Sequence, residues 1–374
     1  MKKRVAVLGA TGSIGKSSLD IISRDTGNFE VVLLCAKSGR SKLEELSRQY
    51  PSAVCVLTED SGNEKLLSAI TEIKPDITIN GIAGAKGLEP SLAAINAGSH
   101  LALANKETIV MAGKLAMRSA KEKNVKIIPV DSEHSAIFHL LKVHTQEDIY
   151  REVQTGKESI KEIILTASGG PFRNYSLREM EKVTAEDALS HPTWNMGKKI
   201  TVDSASMANK GLEIIEACVL FNMPCEKVKV VIHPQSIVHS MILLSNGVIY
   251  AQMSKPDMRH PVHDAVYWPV TTPSSLEPLN FDSLTLDFSK PDFDRFPMLG
   301  LAVEAAKKGE LYPCAYNAAN ETAVSAFLEQ KIGFLDIPRI TESVLQSDWS
   351  GDYLNLKAIL NADSQARQKA DDFI

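Results

Sequence analysis

Residues 5–15 of the chain are Val-Ala-Val-Leu-Gly-Ala-Thr-Gly-Ser-Ile-Gly, a short apolar run that leads directly into a glycine-rich turn. The run predicts a buried β-strand, and residues 16–23 have the apolar spacing of a helix. Glycines at such a turn let the backbone approach a pyrophosphate, while the helix N-terminus offers free N–H groups and a favourable dipole. Because the spacing is GxxGxxG rather than GxGxxG, an ordinary strand–helix turn is the alternative.

Short apolar runs alternate with helical patterns through the rest of the first third. The further runs are 31–35, 53–57, 77–79, 101–104 and 126–130, and helical spacing appears at 43–48, 88–97 and 108–123. This alternation predicts an α/β fold whose N-terminal part is a doubly wound, Rossmann-like parallel sheet. Ligands of such sheets bind at the carboxyl ends of the strands.

The remaining two thirds predict a central α+β domain with an antiparallel sheet and a C-terminal helical bundle. Strands are expected at 163–166, 228–232, 237–244 and 248–253, a long helix at 205–221, and helices at 299–308, 318–330, 337–346 and 356–371. Asn246-Gly247 predicts a two-residue hairpin turn in which both residues can take positive φ. We expect a Rossmann-like domain over 1–131, a central catalytic domain over 132–266, a Pro-rich linker over 267–297 and a helical domain over 298–374.

The composition is that of a soluble globular protein. Of 374 residues, 44% are hydrophobic and 23% charged, and the net charge is −5. There is thus no basic excess to favour nucleic acid or an anionic membrane as a partner. Five cysteines without a CxxC pair argue against a disulfide framework or a thiolate zinc site and favour a reducing compartment. No segment is apolar enough to span a bilayer, so we expect a cytoplasmic protein.

The end of the second predicted strand indicates which dinucleotide binds. NAD sites usually place an acid there to hold the ribose 2′-OH. Here the segment is Cys-Ala-Lys-Ser-Gly-Arg at 35–40, with two cations, a hydroxyl donor and no acid. These groups suit a 2′-phosphate and favour NADPH over NADH, although a solvated basic loop is an equal alternative from this segment alone.

Two groups of polar residues are candidates for a cation site. Asp131 and Glu133 directly follow the strand 126–130, and carboxylate oxygens suit Mg²⁺ or Mn²⁺. The alternative is that Asp131 or Ser132 starts a helix. Asn209, Lys210 and Glu213 share one helix face, and Glu213 on this face offers a third carboxylate for the cation. The alternative interpretation of this face is a solvated Lys–Glu pair.

Two loops and two histidines complete the candidates. The loop Ser-Gly-Gly-Pro at 168–171 follows a strand and can present N–H groups to an anion, and residues 191–197, His-Pro-Thr-Trp-Asn-Met-Gly, have the pattern of a lid that excludes water. Plain domain packing is the alternative for Trp194 and Met196. For His233 and His239, which lack helical metal spacing, we favour structural or supporting roles, and a site near the substrate is the alternative.

Nine motifs, taken in order, resemble one enzyme family. They are Gly-Ala-Thr-Gly-Ser-Ile-Gly at 9–15, Ala-Asn-Lys-Glu at 104–107, Pro-Val-Asp-Ser-Glu-His at 129–134, Ala-Ser-Gly-Gly-Pro-Phe at 167–172, residues 191–197, Val-Asp-Ser with Asn-Lys-Gly-Leu-Glu within 202–213, Ile-His-Pro-Gln-Ser at 232–236, Pro-Asp-Met-Arg at 256–259 and Asn-Ala-Ala-Asn-Glu at 317–321. Together they resemble the 1-deoxy-D-xylulose 5-phosphate reductoisomerases of non-mevalonate isoprenoid synthesis. The resemblance implies a V-shaped homodimer subunit with NADPH-binding, catalytic and helical domains.

The resemblance also implies roles for individual residues. Asp131, Glu133 and Glu213 would bind one Mg²⁺, Mn²⁺ or Co²⁺ ion and, with Lys106, form the catalytic group. Substrate contacts would come from Lys106, Ser132, Glu133, Ser168, His191, Ser204, Asn209, Lys210 and Glu213. NADPH contacts would come from Thr11, Gly12, Ser13, Ile14, Ala36, Lys37, Ser38, Asn105, Glu107 and Gly197.

The implied activity is the NADPH- and metal-dependent isomerisation and reduction of 1-deoxy-D-xylulose 5-phosphate to 2-C-methyl-D-erythritol 4-phosphate. A hard cation can chelate the adjacent carbonyl and hydroxyl oxygens of this ketose phosphate and act as a Lewis acid. One alternative is a metal-independent NADP dehydrogenase of a small hydroxy or amino acid, in which the three acids would be structural. Another is a non-catalytic NADP-binding sensor.

Overall fold

The computed structural model of the chain describes residues 1–145, 160–190, 194 and 196–374, which form two compact units. The first comprises Met1–Thr108, Lys114–Ser135 and Asp257–Glu277, and the second comprises Ile109–Gly113, Ala136–Pro256 and Pro278–Ile374. The Pro-rich segment 267–297 is therefore shared between the units. The four-part division drawn from the sequence stays a prediction.

The described residues form ten strands and fifteen α-helices. The strands are β1 (Lys3–Leu8), β2 (Phe29–Ala36), β3 (Val54–Leu57), β4 (Ile77–Asn80), β5 (His100–Leu103), β6 (Ile127–Pro129), β7 (Ile160–Ala167), β8 (Val228–Ile232), β9 (Val238–Leu244) and β10 (Ile249–Met253). The helices are α1 (Ser13–Ser23), α2 (Arg40–Gln49), α3 (Thr58–Ile73), α4 (Leu88–Asn96), α5 (Lys106–Glu122), α6 (Ser132–Thr145), α7 (Leu177–Met180), α8 (Ala185–Leu189), α9 (Lys198–Ala205), α10 (Ala208–Leu220), α11 (Arg259–Tyr267), α12 (Pro297–Lys308), α13 (Tyr312–Leu328), α14 (Asp336–Leu345) and α15 (Leu356–Asp371). None of the helices in the described ranges is both long and apolar enough to cross a membrane.

The first unit is built on a parallel sheet with the strand order β3-β2-β1-β4-β5-β6. The doubly wound parallel sheet predicted from the sequence is thus confirmed, and its topological switch lies between β1 and β4. Val5–Leu8 of β1 is completely buried, because the sheet is covered on both faces and a central strand needs no polar side. The carboxyl ends of all six strands consequently meet at one edge.

The glycine-rich turn after β1 is closely packed. Gly9 has a φ of 78°, and a Cβ atom there would lie 2.7 Å from the carbonyl oxygen of Gly81. Gly15 lies within α1, where a Cβ atom would come within 2.4 Å of the carbonyl oxygen of Gly9. Glycine at both positions therefore lets the helix start immediately above the strand. As a result α1 begins at Ser13, three residues before the predicted start.

The second unit contains a mixed sheet in the order β10-β9-β7-β8. The predicted antiparallel pairing is found for β10 with β9 and for β9 with β7, but β7 and β8 are parallel. An entirely antiparallel sheet was thus wrong in this detail. The segment between β7 and β8 contains α7–α10, and a crossover of that length permits a parallel pair.

The β9–β10 hairpin is confirmed, but its turn differs from the predicted one. The N–H of Gly247 donates to the carbonyl of Leu244 at 3.0 Å, and the N–H of Leu244 donates to Val248 at 2.9 Å. Gly247 has a φ of 87°, whereas Asn246 is not among the positive-φ residues. The loop therefore has three residues and ends in a glycine bulge, which requires positive φ at one position only.

The long helix expected over 205–221 corresponds to α10, which begins three residues later because a break separates it from α9. The break lies at Met207, which has a φ of 63° and is buried. The hydroxyl of Ser206 accepts a hydrogen bond from the N–H of Ala208 at 3.3 Å and supports this turn. A non-glycine residue in the left-handed region is unfavourable by itself. Periodicity could not reveal the break because both helices bury apolar side chains.

The helices after residue 297 confirm the predicted C-terminal helical region. Their apolar faces are buried, and Tyr316 of α13 is completely enclosed with its hydroxyl donating to the carbonyl of Met298 at 3.1 Å. A Cβ atom at Gly211 of α10 would lie 2.6 Å from that hydroxyl, so α10 packs directly on this region. All five cysteines are free, and burial raises the pKa of Cys35 to about 12.

We predict that Gly15→Ala lowers the free energy of unfolding by about 1–3 kcal/mol, because the new methyl group would overlap backbone atoms that have no room to move. Gly27→Ala is the control, since its Cβ atom would meet only Asp25 Oδ1 at 3.8 Å. Urea unfolding of both variants and the unsubstituted chain measures the effect. Equal stability of the two variants would show that the turn can relax.

Candidate active site

The carboxyl edge of the parallel sheet carries the first group of predicted cofactor contacts. Residues 11–14 lie where the loop after β1 leads into the start of α1, and Gly12 and Ser13 are exposed. Gly12 is the N-cap of α1, and no side chain caps this helix end. The first N–H groups of the helix therefore remain available to an anion, as the pattern predicts.

The end of β2 carries the second group. Ala36 is buried as the last residue of the strand, and Lys37 and Ser38 follow it in exposed positions. Arg40 begins α2 and forms an ion pair with Asp60 of α3. Of the two cations, Lys37 is therefore the better candidate for a 2′-phosphate, because Arg40 already faces a carboxylate.

Asn105 organises the loops at the third predicted cofactor position. Its Nδ2 donates to the carbonyl oxygens of Ile82 and Gly84 at 2.7 and 2.9 Å, and to Glu107 Oε2 at 3.0 Å. Its Oδ1 caps α5 by accepting from the N–H of Thr108 at 3.0 Å. The side chain of Asn105 thus holds the loop after β4 against the start of α5 and shapes this part of the site, while its contact with NADPH stays a prediction.

Gly87 makes room for that amide. A Cβ atom at Gly87 would lie 2.5 Å from the Cγ atom of Asn105. Sequence reasoning did not single out Gly87, since a lone glycine before a helix gives no signal of what it faces.

Lys106 and Asp131 form a buried ion pair at the same sheet edge. The Lys106 Nζ lies 2.7 Å from Asp131 Oδ2, and the two side chains are 5% and 12% exposed. Asp131 Oδ1 meanwhile accepts from the N–H groups of Glu133 and His134 at 3.1 and 3.3 Å. The sequence left two roles open for Asp131, a helix cap and a cation ligand. The structure shows that Asp131 caps α6, and its role as a cation ligand stays a prediction.

Ser132 and Glu133 follow within the first turn of α6. The hydroxyl of Ser132 donates to Glu133 Oε2 at 2.6 Å. His134 is fully buried, and its Nδ1 atom lies 3.2 Å from Asp131 Oδ1. The segment 131–134 is therefore a compact acidic turn directly after β6.

A second acidic group lies on α10 in the second unit. Glu213 is completely buried, receives a hydrogen bond from Asn209 Nδ2 at 2.6 Å and forms an ion pair with Lys210. The helical spacing of these three residues does place them on one face, as predicted. The pair is not solvated, because Lys210 and Glu213 are 4% and 0% exposed. The Oδ1 atom of Asn209 has no hydrogen-bond partner among the described residues.

Ser168 and Ser204 lie on two segments that pack against each other. Ser168 follows β7, and its hydroxyl accepts from the N–H of Gly170 at 3.3 Å. Gly170 has a φ of 68°, and a Cβ atom there would lie 2.5 Å from the carbonyl oxygen of Ser204 in α9. Gly170 therefore allows the loop carrying Ser168 to rest on the helix that carries Ser204.

Part of the predicted lid can be placed. Gly197 is the exposed N-cap of α9 and accepts hydrogen bonds from the N–H and hydroxyl of Thr201 at 3.1 and 2.8 Å. Trp194 and Met196 are half-buried. His191, the predicted substrate contact, lies outside the described residues with Pro192, Thr193 and Asn195.

His233 has the structural role favoured from the sequence. Its Nδ1 lies 2.9 Å from the carbonyl of Asp287, while Nε2 accepts from the N–H groups of Ile237 and Val238 at 3.2 and 3.1 Å. Both ring nitrogens are thus used within the protein. This pattern requires the neutral ring with its proton on Nδ1.

Comparison with known proteins covers nearly the whole chain. Family models described as 1-deoxy-D-xylulose 5-phosphate reductoisomerase match residues 5–72 and 41–113, and models of its C-terminal domains match residues 127–221 and 253–369. The reductoisomerase of Pelodictyon phaeoclathratiforme is 46% identical and the alignment covers 100% of both chains. The chain belongs to the 1-deoxy-D-xylulose 5-phosphate reductoisomerase family. The family member from Treponema denticola is also 46% identical, over 98% of this chain and 96% of its own.

Solved structures of family members have the same fold. A crystal structure of DOX-P reductoisomerase in complex with NADPH, fosmidomycin and magnesium matches with a TM-score of 0.93 at 37% identity, covering 99% of this chain and 98% of that one. The Zymomonas mobilis reductoisomerase in complex with NADPH matches with a TM-score of 0.87 at 39% identity, covering 100% and 99%. The fold class inferred from the sequence is thereby confirmed for this reductoisomerase-family chain.

We predict that Asn105→Ala lowers the free energy of unfolding by about 1–3 kcal/mol, because two loop carbonyls and the α5 cap lose their partner. Asn96→Ala, at the exposed end of α4, is the matched control and should change stability by less than ~0.5 kcal/mol. Denaturant unfolding followed by circular dichroism measures both. A loss no larger than that of the control would mean that the loops hold without Asn105.

Proposed function

We propose that the chain converts 1-deoxy-D-xylulose 5-phosphate and NADPH to 2-C-methyl-D-erythritol 4-phosphate and NADP⁺, with a divalent cation as cofactor. The observation that carries this proposal is membership of the reductoisomerase family over the full length, at 46% identity. The acids, lysines and glycines to which the resemblance assigns roles are all present in the nine motifs quoted from the sequence.

The cation site comprises Asp131, Glu133 and Glu213. Carboxylate oxygens are the ligands that Mg²⁺ and Mn²⁺ prefer. In this structure Lys106 faces Asp131 and Lys210 faces Glu213, so each ammonium group balances a carboxylate charge that a bound cation would balance in its place. Asp131 and Glu213 are thus held largely out of bulk water, each beside a cationic partner. We assign Asp131, Glu133 and Glu213 together to one ion.

NADPH is assigned to the carboxyl edge of the parallel sheet. The uncapped start of α1 suits the pyrophosphate, and the exposed Lys37 and Ser38 suit the 2′-phosphate. A solved relative of similar fold is a complex with NADPH. Asn105, Glu107 and Gly197 complete the proposed cofactor contacts, and Asn105 also holds the loop at 82–84.

The substrate phosphate and hydroxyl groups are assigned to the second unit. Ser168, Ser204, Asn209 and Lys210 supply hydroxyl, amide and ammonium donors, and His191 is a further proposed contact. The unpartnered Oδ1 of Asn209 is a buried acceptor that a substrate hydroxyl would satisfy. Because the phosphate is not transformed, its binding energy is free to orient the reacting carbons.

The residues of the chain position and polarise the substrate. When bound, the cation supplies Lewis-acid stabilisation of negative charge on the substrate oxygens, and NADPH supplies the hydride. Lys106 holds Asp131 at 2.7 Å and keeps one carboxylate oxygen in a defined orientation. Asn209 and Lys210 do the same for Glu213. Lys106 also places an ammonium group at this acidic turn and serves as a donor to a substrate oxygen.

The remaining sequence-based expectations belong to the same proposal. We assign cofactor binding to the Rossmann-like domain, catalysis to the central domain and a supporting role to the helical domain, in a cytoplasmic homodimer. A phosphorylated ketose is the partner, and nucleic acid and membranes are not. A metal-independent dehydrogenase is disfavoured, since it gives the buried acids with their lysines no chemical task.

The activity test uses the purified chain with 1-deoxy-D-xylulose 5-phosphate. We expect NADPH oxidation at 340 nm in the presence of Mg²⁺ or Mn²⁺, loss of turnover in excess EDTA and recovery on adding the cation, because the charge developed on substrate oxygens needs a Lewis acid. NADPH oxidation with this substrate at full rate in EDTA would reject the metal-dependent reaction. No oxidation under any condition would reject the proposed function.

Glu213→Gln tests the third ligand. We expect the cation concentration for half-maximal rate to rise at least about tenfold, with little change in NADPH binding, because one charged ligand is lost from the second unit. Glu216→Gln is the control, as it is equally buried on the same helix but is not assigned to the cation. Cation titrations of the initial rate and NADPH fluorescence titrations give the two quantities. An equal shift in both variants would remove Glu213 from the site.

A further inference from the structure

A buried carboxylate that the proposed chemistry does not use lies in the last turn of α9. Asp203 is 1% exposed, and its Oδ2 forms an ion pair with Lys199 Nζ at 2.9 Å one turn earlier. Its Oδ1 accepts a hydrogen bond from Asn320 Nδ2 at 2.8 Å. Asn320 is completely buried on α13, so this bond ties α9 to the C-terminal helices of the same unit.

The amide of Asn320 is committed to this one bond. Its Oδ1 has no hydrogen-bond partner among the described residues, although the side chain is fully buried. Such an unsatisfied atom is unfavourable. Apolar side chains would pack at this position without that cost, so the amide is explained by what its NH₂ group does for Asp203.

The hydroxyl of Tyr316, which lies near Asp203, is neutral. Burial and the nearby Asp203 charge raise the pKa of Tyr316 well above its ordinary value, so its hydroxyl stays protonated and donates to Met298. Lys199 and Asn320 are therefore the two groups that hold the Asp203 charge in one orientation. A carboxylate with fixed partners on two sides resists rotation of the helix that carries it.

The position of α9 matters because two proposed substrate contacts depend on it. Ser204 is the next residue after Asp203, and the loop bearing Ser168 rests on the Ser204 carbonyl at Gly170. A rotation of α9 would consequently displace both hydroxyl groups together. Displacements of ~1 Å in such contacts can cost as much as about 100-fold in rate.

We propose that Asp203 and Asn320 are positioning residues, which lock α9 and so set the joint placement of Ser204 and Ser168 for the phosphorylated substrate. This inference rests on the proposed function. Neither residue is among the proposed substrate or cofactor contacts; both act through α9, which carries Asp203. The motif Asn-Ala-Ala-Asn-Glu at 317–321, to which the sequence alone assigned no task, is explained in part by this contact.

The test places a like charge against Asp203. Asn320→Asp would set two carboxylates face to face, and we expect the KM for 1-deoxy-D-xylulose 5-phosphate to rise at least about tenfold while the KM for NADPH changes less than ~2-fold. A merely structural role would reduce the folded fraction and lower the apparent kcat without moving the substrate KM. The split between the two KM values thus separates positioning from stability.

Asn317→Asp is the matched control on the same helix. Asn317 is also completely buried, but its Nδ2 faces Glu321 at 3.3 Å rather than α9. The same charge is introduced one turn away, so this variant should keep the substrate KM. A rise equal to that of Asn320→Asp would overturn the inference.

Exchange of the two groups supplies the rescue. In the double variant Asp203→Asn with Asn320→Asp the amide–carboxylate hydrogen bond is restored with its direction reversed, and we expect a substrate KM closer to the original than in Asn320→Asp. If Asn320→Asp does not fold, Asn320→Ala replaces it and should still raise the KM. If the unsubstituted chain is active and the Asn320 variant has an unchanged KM for the substrate, this inference alone is refuted. If the unsubstituted chain is inactive, the proposed function is refuted and this inference with it.

Discussion

Three carboxylates that are nearly excluded from water, Asp131, Asp203 and Glu213, each face a lysine. An uncompensated buried charge costs several kcal/mol, and breaking one such pair is strongly destabilising. The lysines therefore make it possible to keep acidic groups in the interior. The pair Lys199–Asp203 lies within α9, and the pair Lys210–Glu213 lies within α10. Lys106 and Asp131 are instead brought together by the neighbouring strands β5 and β6.

That third pair shows how the parallel sheet builds a site. Lys106 begins the helix after β5, and Asp131 follows β6, so both stand at the carboxyl edge because adjacent parallel strands end side by side. The glycine turn after β1 and the amide of Asn105 belong to the same edge. A single architectural rule thus places the uncapped helix start, the loop amide and the acidic turn near one another in the first unit.

Asp131 also shows that a structural and a chemical interpretation of one residue need not compete. One oxygen caps α6 and the other faces Lys106, so the cap holds the carboxylate in the orientation that a ligand needs. Glu213 is held in the same manner by Asn209 and Lys210. In the proposed function these preorganised acids bind the cation, and preorganisation of this kind reduces the cost of binding an ion.

Local patterns in the chain were sufficient for the six parallel strands, the glycine turn and the shared face of Asn209, Lys210 and Glu213. Each of these depends on residues within a few positions of one another, whose spacing fixes backbone and side-chain direction. The parallel pairing of β7 with β8, the break at Met207 and the bond from Asn320 to Asp203 could not be obtained in that way. The last joins residues 117 positions apart, and such contacts arise from the packing of whole elements, about which neither residue carries a local signal.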